Sequence, residues 1–448
     1  MAKLAAPSGF RDFLPDQYHK RHELLGRIRE TYERFGFEGM DTPAMENLRV
    51  FLGKGGGENE KLMFRVLKRG AELERARAEQ SGDLADLALR FDLTVPLARY
   101  YASHRGELPA VFKRYQLGPV WRAERAQYGR FREFIQCDVD VLGSPSMAVE
   151  AEVVLATATA LAELGFADLK VRLNSRPLLH LLVRSTGIDE PFVDAAVIGI
   201  DKLDKDPPEA VREELVRKGV PDKSAAALLD LAAAARALDE DALLADVTRR
   251  VGEPGAAYVA QLQEILALTP PLPSARLVFD PFLARGMDYY TGPIFEVATE
   301  SIPFSLAGGG RFDDLIERLA GVKVPACGFS IGFERVFTLM EERNLFTTQT
   351  RAADVLIALA DSDVTAEALR LASDLRTAGL RVDVFPHAAK LGSQFDVADR
   401  KRIPYAIVAD AEKLRTDSLE VRDLAARQST PVARRDLGAW LAARVART

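Results

Sequence analysis

The stretch "WRAERAQYGRFREFIQCDVDVL", residues 121–142, contains two patterns that decide the fold. Its second half alternates polar and apolar residues with a period of two, which predicts a strand over residues 131–142. Residues 110–121 before it are also rich in strand-forming residues. The polar letters "RAERAQYG" stand between the two segments, so the sequence predicts two strands joined by a charged hairpin loop.

Alternation along the second strand sends Gln136, Asp138 and Asp140 to one face. Two carboxylates and an amide are poor material for an apolar core. A solvated outer face with ordinary surface ion pairs explains any one of these residues equally well. The combination of all three favours a binding face.

The pattern outside the hairpin predicts an interrupted α+β core. An amphipathic helix is expected at residues 18–35, and a second helix follows the hairpin at residues 144–165. From residue 177 the composition changes to helix-forming residues, which predicts a helical insertion at 177–270. Strand-like segments return after Pro273. We therefore expect a core at residues 1–340 with a mixed or antiparallel sheet.

Residues 352–448 differ from this core because strand-like and helix-like segments alternate along them. Such alternation predicts a small α/β domain with a mostly parallel sheet. The polar segment "FTTQTRAAD" before it has no periodicity and is expected to be a linker.

Composition limits the function. The 448 residues are 48% hydrophobic and 28% charged, as in ordinary globular proteins, and the net charge of -6 argues against a general polyanion binder. Cys137 and Cys327 are too few for a disulfide framework, and the five histidines lack metal-ligand spacing. The sequence shows no membrane-spanning run and no signal peptide, so we expect a cytoplasmic protein without protein-bound zinc.

Three further segments carry unusual polar residues. "LRFDLTVPLARY" contains Asp92 and Thr94 within an apolar run, where a helix cap is the simplest alternative to a site. "GFSIGFERV" combines glycines that allow close backbone approach with Arg335, which can hold a phosphate bidentately. "RGMDYYTGPIFE", residues 285–296, puts charged and aromatic residues at the start of a predicted strand. "GKGGGEN", residues 53–59, lacks the Ser or Thr of a phosphate loop.

Together these segments resemble the motifs of a class II aminoacyl-tRNA synthetase. "WRAE…GRFREF" is similar to motif 2 of the class, "GFERV" to motif 3, and Pro43 to the proline of motif 1. "RGMDYYTG", "AGGGRFDDL", "LRFDLT" and "REFIQCDVDV" resemble the histidyl-tRNA synthetase family in particular. The resemblance runs from "SGFRDFLP" to "LGSQFDVADRKRIPYAIV" and covers essentially the whole chain.

The resemblance implies a two-step ligase reaction. ATP, carried with Mg²⁺, activates histidine to histidyl-adenylate with release of pyrophosphate, and histidine then passes to its tRNA. No protein nucleophile is needed. Catalysis by positioning and charge explains why the segments are rich in arginine.

The resemblance assigns five residues to ATP and the reacting phosphate. Arg122 is expected to hold the α-phosphate and the histidine carboxylate, and Arg335 the γ-phosphate while covering adenine. Phe134 would stack beneath the base, and Glu124 would meet its amino group. Arg285 would be a further cation on the α-phosphate, so Arg122, Arg285 and Arg335 are the expected catalytic residues.

Histidine would be recognised at both of its ends. The resemblance implies that three residues bind the ammonium group: Asp92, Thr94 and Gln136. Asp140 and Tyr290 are expected to hold the imidazole ring, with Arg122 and Arg285 on the carboxylate side. Tyr289 belongs to the same signature of histidine-binding residues, although we expect its side chain to face the core. The family's usual G-G-R-Y-D has Phe312 at the tyrosine position, so a hydroxyl contact is absent there.

Residues 352–448 resemble the family's anticodon-binding domain. Residues 351–448 contain 16 Lys and Arg against 14 Asp and Glu, a net +2, whereas the rest of the chain has 44 against 52, a net -8. Arg400, Lys401 and Arg402 form the most basic patch and are candidates for tRNA contact, although a solvated helix end explains them equally well. Gln127 in the motif 2 loop would approach the acceptor end of tRNA(His).

The resemblance also implies a homodimer, with the segment around Pro43 at the two-fold interface. Two other functions were compared with it. A synthetase-like regulatory subunit that binds histidine typically lacks the C-terminal domain and the catalytic arginines, and this chain has both. A synthetase-like RNA sensor is normally fused to a kinase, and nothing kinase-like fits in this chain. Whether the tRNA needs an extra 5′ guanosine stays open.

Overall fold

The computed structural model describes residues 4–52, 61–79, 84–125, 131–203, 206–284, 289–299, 302, 304–347 and 351–445. The chain divides into two compact units. The first contains Met1–Leu14 and Arg21–Phe346, and the second contains Pro15–Lys20 and Thr347–Thr448.

The helices and strands are numbered here in chain order. The α-helices are α1 (Pro15–Arg34), α2 (Leu48–Phe51), α3 (Gly70–Ala78), α4 (Thr94–His104), α5 (Ala148–Glu163), α6 (Arg176–Arg184), α7 (Glu190–Ile200), α8 (Pro208–Arg217), α9 (Asp222–Ala235), α10 (Glu240–Leu268), α11 (Asp313–Ala320), α12 (Phe333–Glu342), α13 (Thr365–Thr377), α14 (Leu391–Arg400) and α15 (Leu437–Val445). The strands are β1 (Glu38–Gly39), β2 (Met45–Asn47), β3 (Arg65–Leu67), β4 (Ala85–Leu89), β5 (Phe112–Trp121), β6 (Glu133–Leu142), β7 (Leu169–Ser175), β8 (Ala275–Phe279), β9 (Pro293–Thr299), β10 (Ala307–Arg311), β11 (Ala326–Gly332), β12 (Val355–Leu359), β13 (Val382–Val384), β14 (Tyr405–Ala409), β15 (Ser418–Asp423) and β16 (Gln428–Ala433).

The first unit is built on an eight-stranded sheet in the order β1-β5-β6-β11-β10-β9-β7-β8. The strands from β5 to β7 in this order are antiparallel to their neighbours. β1 and β8 run parallel to β5 and β7 at the two edges. The expected α+β core with a mixed, mainly antiparallel sheet is confirmed.

The predicted hairpin is confirmed as β5 and β6. The two strands pair from Phe112 opposite Leu142 to Trp121 opposite Glu133. Cys137, Val139 and Val141 point to a core that also contains residues of α1 and α5. Because strand residues alternate between faces, the even-numbered residues of β6 lie on the other side of the sheet. Residues 126–130 of the charged loop lie outside the described part of the chain.

The predicted N-terminal helix is confirmed as α1. Its apolar stripe includes Leu24, Ile28 and Tyr32, each of which is fully buried. The helix begins three residues earlier than predicted, at Pro15, because proline fits the first turn of a helix without losing a hydrogen bond. It ends at Arg34, and Gly36 follows with a φ of 73°.

The segment predicted as a helical insertion does form helices, from α6 to α10. β7 precedes these helices and β8 follows them, and the two strands pair in parallel. The chain therefore leaves the sheet after β7 and returns to the adjacent position. α7, α8 and α9 also share a small apolar cluster of their own, which includes Val193, Leu215 and Leu228.

The strand expected to begin with "RGMDYYTG" begins later. Residues 285–288 lie outside the described residues, and Tyr289–Gly292 precede the strand instead of forming part of it. β9 begins at Pro293. Proline has no amide hydrogen for the ladder and therefore favours the first position of a strand. The two tyrosines are thus placed by a turn and not by strand alternation.

The second unit is an α/β fold whose first three predicted strands are confirmed. The sheet order is β13-β12-β14-β15-β16, and β12 is parallel to β13 and β14. The expectation of a mostly parallel sheet is wrong for the last two strands, since β15 and β16 form an antiparallel hairpin on β14. These strands have one largely exposed side, so only alternate residues such as Leu419 and Val421 are apolar and buried.

Among the described helices, none has the length and apolar character that crossing a membrane requires.

Candidate active site

A cavity of about 1500 Å³ opens on the face of the large sheet opposite α1 and α5. Ten of the residues expected from the sequence line it: Asp92, Thr94, Arg122, Glu124, Phe134, Gln136, Asp140, Tyr289, Tyr290 and Arg335. Arg285 and Gln127 lie outside the described residues. Arg400, Lys401 and Arg402 lie at the end of α14 in the second unit.

The pairing of β5, β6 and β11 builds the floor of this cavity. Residues directly opposite each other in a sheet point to the same face. Three rows across β5, β6 and β11 therefore share the face of the sheet on which the cavity lies: Gly118, Gln136 and Gly332; Gln116, Asp138 and Ser330; and Arg114, Asp140 and Gly328. The members on β6 and β11 line the cavity as its floor. The face predicted from alternation alone is thus the floor of the site.

Gly328 is required by the carboxylate beside it. A Cβ atom at this position would lie 1.8 Å from Oδ1 of Asp140, a distance that no real contact shows. A Cβ at Gly309 on β10 would likewise lie 2.1 Å from the carbonyl oxygen of Gly328. The glycines of β10 and β11 thus let the strands and the Asp140 side chain approach closely.

Asp140 forms a buried ion pair with Arg114. Nη2 of Arg114 lies 2.7 Å from Oδ2 of Asp140, and neither side chain is more than 4% exposed. Burial raises the pKa of Asp140 to about 7, while the charge of Arg114 opposes the rise. Sequence reasoning missed Arg114, which looks like an ordinary strand residue in "FKRYQLGPVW". The sequence feature that could have identified Arg114 is its position two residues before Gln116, on the polar face of a strand that must pair with β6.

Asp92 combines the two roles that the sequence left open. Its Oδ1 accepts a hydrogen bond from the backbone N–H of Val95 at 3.1 Å, in the first turn of α4. Its Oδ2 is buried and has no hydrogen-bond partner within the described part of the chain. Burial raises the pKa of Asp92 to about 7. One oxygen therefore stabilises the helix start, and the other is left for a ligand.

Arg122 and Phe134 lie together at the loop end of the β5–β6 hairpin. Nε of Arg122 donates to the carbonyl oxygen of Phe91 at 3.0 Å. Its guanidinium carbon lies 5.0 Å from the centroid of the Phe134 ring. The side chain of the nearby Glu124 is exposed. The backbone carbonyl oxygen of Glu124 accepts a hydrogen bond from Nε of Arg132 at 2.9 Å, which stabilises the base of the loop. This end of the cavity offers a fixed cation, an aromatic face and a carboxylate.

Arg335 lies in the first turn of α12, at another wall of the cavity. Its Nη1 donates to the carbonyl oxygen of Ser305 at 2.7 Å, and its guanidinium carbon lies 5.0 Å from the Phe304 ring centroid. The Ser305 contact and the helix start fix where this cation can reach. A flat guanidinium held beside an aromatic ring suits both stacking and phosphate binding.

Glu334 anchors the turn that carries Arg335, and the sequence did not indicate this role. Its carboxylate accepts hydrogen bonds from Arg21 at 2.7 and 2.8 Å and from Arg11 at 2.5 Å. Burial alone would raise the pKa of Glu334, but the hydrogen bonds and charge of Arg21, together with Arg11, hold the pKa below its usual range. The partners lie more than 300 residues away in sequence, so no local pattern shows the pair.

The two adjacent tyrosines both line the cavity, and Tyr289 also packs against the apolar core cluster that contains Phe312, as expected. Its hydroxyl group shares a hydrogen bond with the Thr94 side chain. Tyr290 is 9% exposed and packs with Ile294 and Phe312. Phe312 is 2% exposed and meets Tyr289 edge to face, with the ring centroids 6.0 Å apart. The Phe312 ring therefore contributes an apolar wall where the family has a hydroxyl.

Within the described residues, no group of three His, Cys, Asp or Glu side chains is arranged to hold a metal ion.

Comparison with known proteins covers nearly the whole chain. Residues 9–336 match the family model of histidyl-tRNA synthetase, and residues 354–444 match that of an anticodon binding domain. The histidine–tRNA ligase of Leifsonia xyli subsp. xyli is 43% identical over 405 residues, which cover 88% of this chain and 93% of the relative. That of Xanthomonas axonopodis pv. citri is 37% identical over 460 residues, with 98% and 96% covered.

Comparison with solved structures also finds similarity to histidyl-tRNA synthetase. The crystal structure of histidyl-tRNA synthetase from Nostoc sp. PCC 7120 has a TM-score of 0.79 and 28% identity, and covers 99% of this chain and 100% of that one. A Bacillus halodurans protein described as an ATP phosphoribosyltransferase regulatory subunit/histidyl-tRNA synthetase has a TM-score of 0.69 at 20% identity, with 88% and 97% covered. The second likeness concerns the fold alone.

The mainly antiparallel sheet, with arginines on the walls of its cavity and carboxylates on its floor, is that of an aminoacyl-tRNA synthetase, an ATP-dependent ligase. The resemblance noted in the sequence is confirmed. The chain belongs to the histidyl-tRNA synthetase family. Its activity is the joining of histidine to tRNA.

Proposed function

We propose that histidine and ATP bind side by side in the cavity and that histidyl-adenylate forms beside Arg122. The observation that carries the proposal is the floor of the site, where Gln136 and Asp140 share one face of β6 and Arg122 lies at the end of the neighbouring strand. Amino-acid acceptors and a phosphate cation therefore lie in one cavity. A displacement at phosphorus needs such positioning and charge, and no protein nucleophile.

ATP binds at the loop end of the hairpin in this proposal. The adenine ring stacks on Phe134, with Glu124 accepting from its amino group, and Arg335 reaches the γ-phosphate. Arg122 and Arg285 hold the α-phosphate. Mg²⁺ enters as part of the substrate, bound to the phosphate oxygens, as is usual for this ion. The ring contact of Arg122 with Phe134 supports this placement, because it puts base and phosphate sites next to each other.

The ammonium group of histidine binds at Asp92, Thr94 and Gln136. An ammonium group has three N–H donors and needs three acceptors. Oδ2 of Asp92 and Oε1 of Gln136 are buried and have no hydrogen-bond partner within the described residues. Buried acceptors without partners are costly, and a bound ammonium group would satisfy both.

The imidazole ring binds at Asp140 and Tyr290, and replacing Asp140 tests this. Asp140→Asn should raise the KM for histidine by about 10- to 100-fold, because a hydrogen bond to a charged group contributes about 1.5–3 kcal/mol. The KM for ATP should change by less than about threefold, since ATP does not meet this residue. Pyrophosphate exchange at varied histidine and ATP concentrations measures both values.

Asp206→Asn is the matched control, because Asp206 is an exposed aspartate before α8 and does not line the cavity. It should leave both Michaelis constants within about twofold of the parent. Circular dichroism checks that Asp140→Asn remains folded with Arg114 deprived of its charged partner. Equal increases in the two Michaelis constants would show that Asp140 does not bind the imidazole ring of histidine.

The second unit supplies tRNA recognition in this proposal. Its support is the match of residues 354–444 to an anticodon binding domain and the net positive charge of this part of the chain. Arg400, Lys401 and Arg402 are the candidate contacts, and Gln127 is the candidate contact to the acceptor end. A cytoplasmic location belongs to the same proposal, because the ligase must meet tRNA and ATP.

We further propose a homodimer formed through the segment around Pro43. β2 follows this segment and is an edge strand of the small sheet β2-β4-β3. Met45, Leu67 and Leu84 on or beside this sheet are 45%, 55% and 40% exposed. Exposed apolar side chains grouped in this way are typical of an interface. Sedimentation velocity at micromolar concentration should show a dimer, and a fully active monomer would contradict the proposal.

A further inference from the structure

Asp138 has no role in the site described so far, although it lies at the centre of the floor. It is 3% exposed and lines the cavity between Gln136 and Asp140. The Ser330 side chain hydrogen-bonds it. Its other cross-strand neighbour, Gln116, donates instead to Asp41 and Thr42 at 2.8 and 3.1 Å. Oδ1 of Asp138 is therefore buried without a hydrogen-bond partner among the described residues.

Asp138 lies among two further carboxylates and three arginines, together with two tyrosines and a cysteine that burial keeps neutral. The titratable and charged groups around it are Arg90 after β4, Asp92 before α4, Arg114 on β5, Arg122 after β5, Cys137 and Asp140 on β6, Tyr32 on α1 and Tyr289 before β9. Arg114 makes its ion pair with Asp140. Nη2 of Arg90 lies on the same face of the sheet, 2.8 Å from where a Cβ of Gly118 would be, and Nη1 of Arg90 lies 3.1 Å from Oδ1 of Asp41, so Asp41 balances this charge.

When the charges of the bound substrates are counted as well, one carboxylate of the site remains without a compensating positive charge. In the proposed complex the ammonium group balances Asp92, and Arg122 balances the phosphate and the histidine carboxylate. Arg114 balances one carboxylate of the pair Asp138 and Asp140. A second positive charge is missing at this pair. A buried ionised group without a partner is strongly unfavourable, so a ligand that brings a charge there is favoured.

We propose that the site binds histidine with its ring protonated, as an imidazolium, and that Asp138 supplies the negative charge that compensates it. The inference rests on the proposed function, in which the ring lies at Asp140. Residues two apart on a strand are separated by about 7 Å, so both carboxylates face one ring-sized space. An imidazolium has an N–H donor at each nitrogen, so one can donate to Asp140 while the other is shared between the Tyr290 hydroxyl oxygen and the free oxygen of Asp138.

The arrangement makes Asp138 a specificity-determining residue. Among amino acids with a short planar polar side chain, only histidine can carry a positive charge on that side chain near neutral pH. Asparagine and glutamine place neutral amides in the same space and would leave Asp138 uncompensated. An opposite charge at this distance raises the pKa of an imidazole, typically by one to three units from about 6.5. The bound ring should therefore stay protonated above pH 8.

The test is nitrogen-15 NMR of ring-labelled histidine bound to the full-length protein, titrated from pH 6.5 to 9. In the parent protein the bound ring should give imidazolium shifts up to pH 8, which corresponds to a pKa raised by about two units. In Asp138→Asn the ring pKa should fall by at least about one unit. The exposed control Asp206→Asn should leave it unchanged.

The outcomes separate this inference from the proposed function. A neutral ring at pH 8 in the parent protein would overturn the inference, and this result does not depend on whether Asp138→Asn folds. An imidazolium that persists unchanged in a folded Asp138→Asn protein would remove Asp138 from the account. Failure of the parent protein to bind histidine at all would instead contradict the proposed function.

Discussion

Arg122→Ala should lower histidine-dependent ATP–pyrophosphate exchange by about 10²–10³-fold, the usual cost of removing one preorganised donor to a developing charge. Its guanidinium is held by the carbonyl oxygen of Phe91 and lies over Phe134, so its charge is fixed before the substrates arrive. A water molecule in the space left behind cannot supply that charge. The same loss is expected for Arg285→Ala, from the resemblance of its segment to the family signature.

Two variants make this result specific. Arg122→Lys keeps the charge but loses the planar fork, so we expect an intermediate loss of about tenfold or more. Arg105→Ala removes an exposed arginine after α4 and should leave exchange within about twofold of the parent. Exchange within tenfold of the parent in a folded Arg122→Ala protein would remove Arg122 from the α-phosphate.

Removal of the C-terminal part of the second unit, Thr347–Thr448, should separate the two steps of the reaction. A chain that ends after Phe346 keeps every described residue that lines the cavity, and it keeps Leu345 and Phe346, which pack against the core of the first unit. It should retain histidine-dependent pyrophosphate exchange within about tenfold of the parent. Charging of tRNA should fall by about 10²-fold or more, which corresponds to about 3 kcal/mol of lost tRNA binding.

Both assays must be made on one folded preparation, checked by circular dichroism. The full-length protein with Arg400→Ala, Lys401→Ala and Arg402→Ala is the companion variant, and it should lower charging while exchange is unchanged. Charging at the parental rate by the shortened chain would show that the second unit does not recognise tRNA. Loss of both activities in a folded sample would show that the two units act together.

Much of the fold could be predicted because its elements have strong local periodicity. The apolar stripe of α1 and the alternation of β6 each predict one burial pattern, and the structure confirms both. The hairpin of β15 and β16 was missed, because one side of each strand is exposed and only a few apolar residues mark it. A weakly apolar edge hairpin is hard to distinguish from a loop by pattern alone.

Some residues of the site could likewise be predicted from the sequence, and others could not. Gln136, Asp138 and Asp140 could be placed on one face from spacing, since strand alternation is a local property. Arg114 and Glu334 could not, because their importance comes from partners that only the folded chain supplies, Asp140 across the hairpin and Arg21 in α1. Tyr289 both packs against the core and lines the cavity. The second contact could not be predicted, because a turn places this residue, and residues of a turn do not alternate between faces as residues of a strand do.

The most direct test of histidine activation in this cavity is pyrophosphate exchange by the full-length protein with each of the twenty amino acids, followed by charging of tRNA(His). Histidine alone should support exchange, and it should be esterified to the tRNA. Binding of histidine without exchange or charging would contradict the proposal and would instead indicate a regulatory protein that uses the same fold to sense histidine.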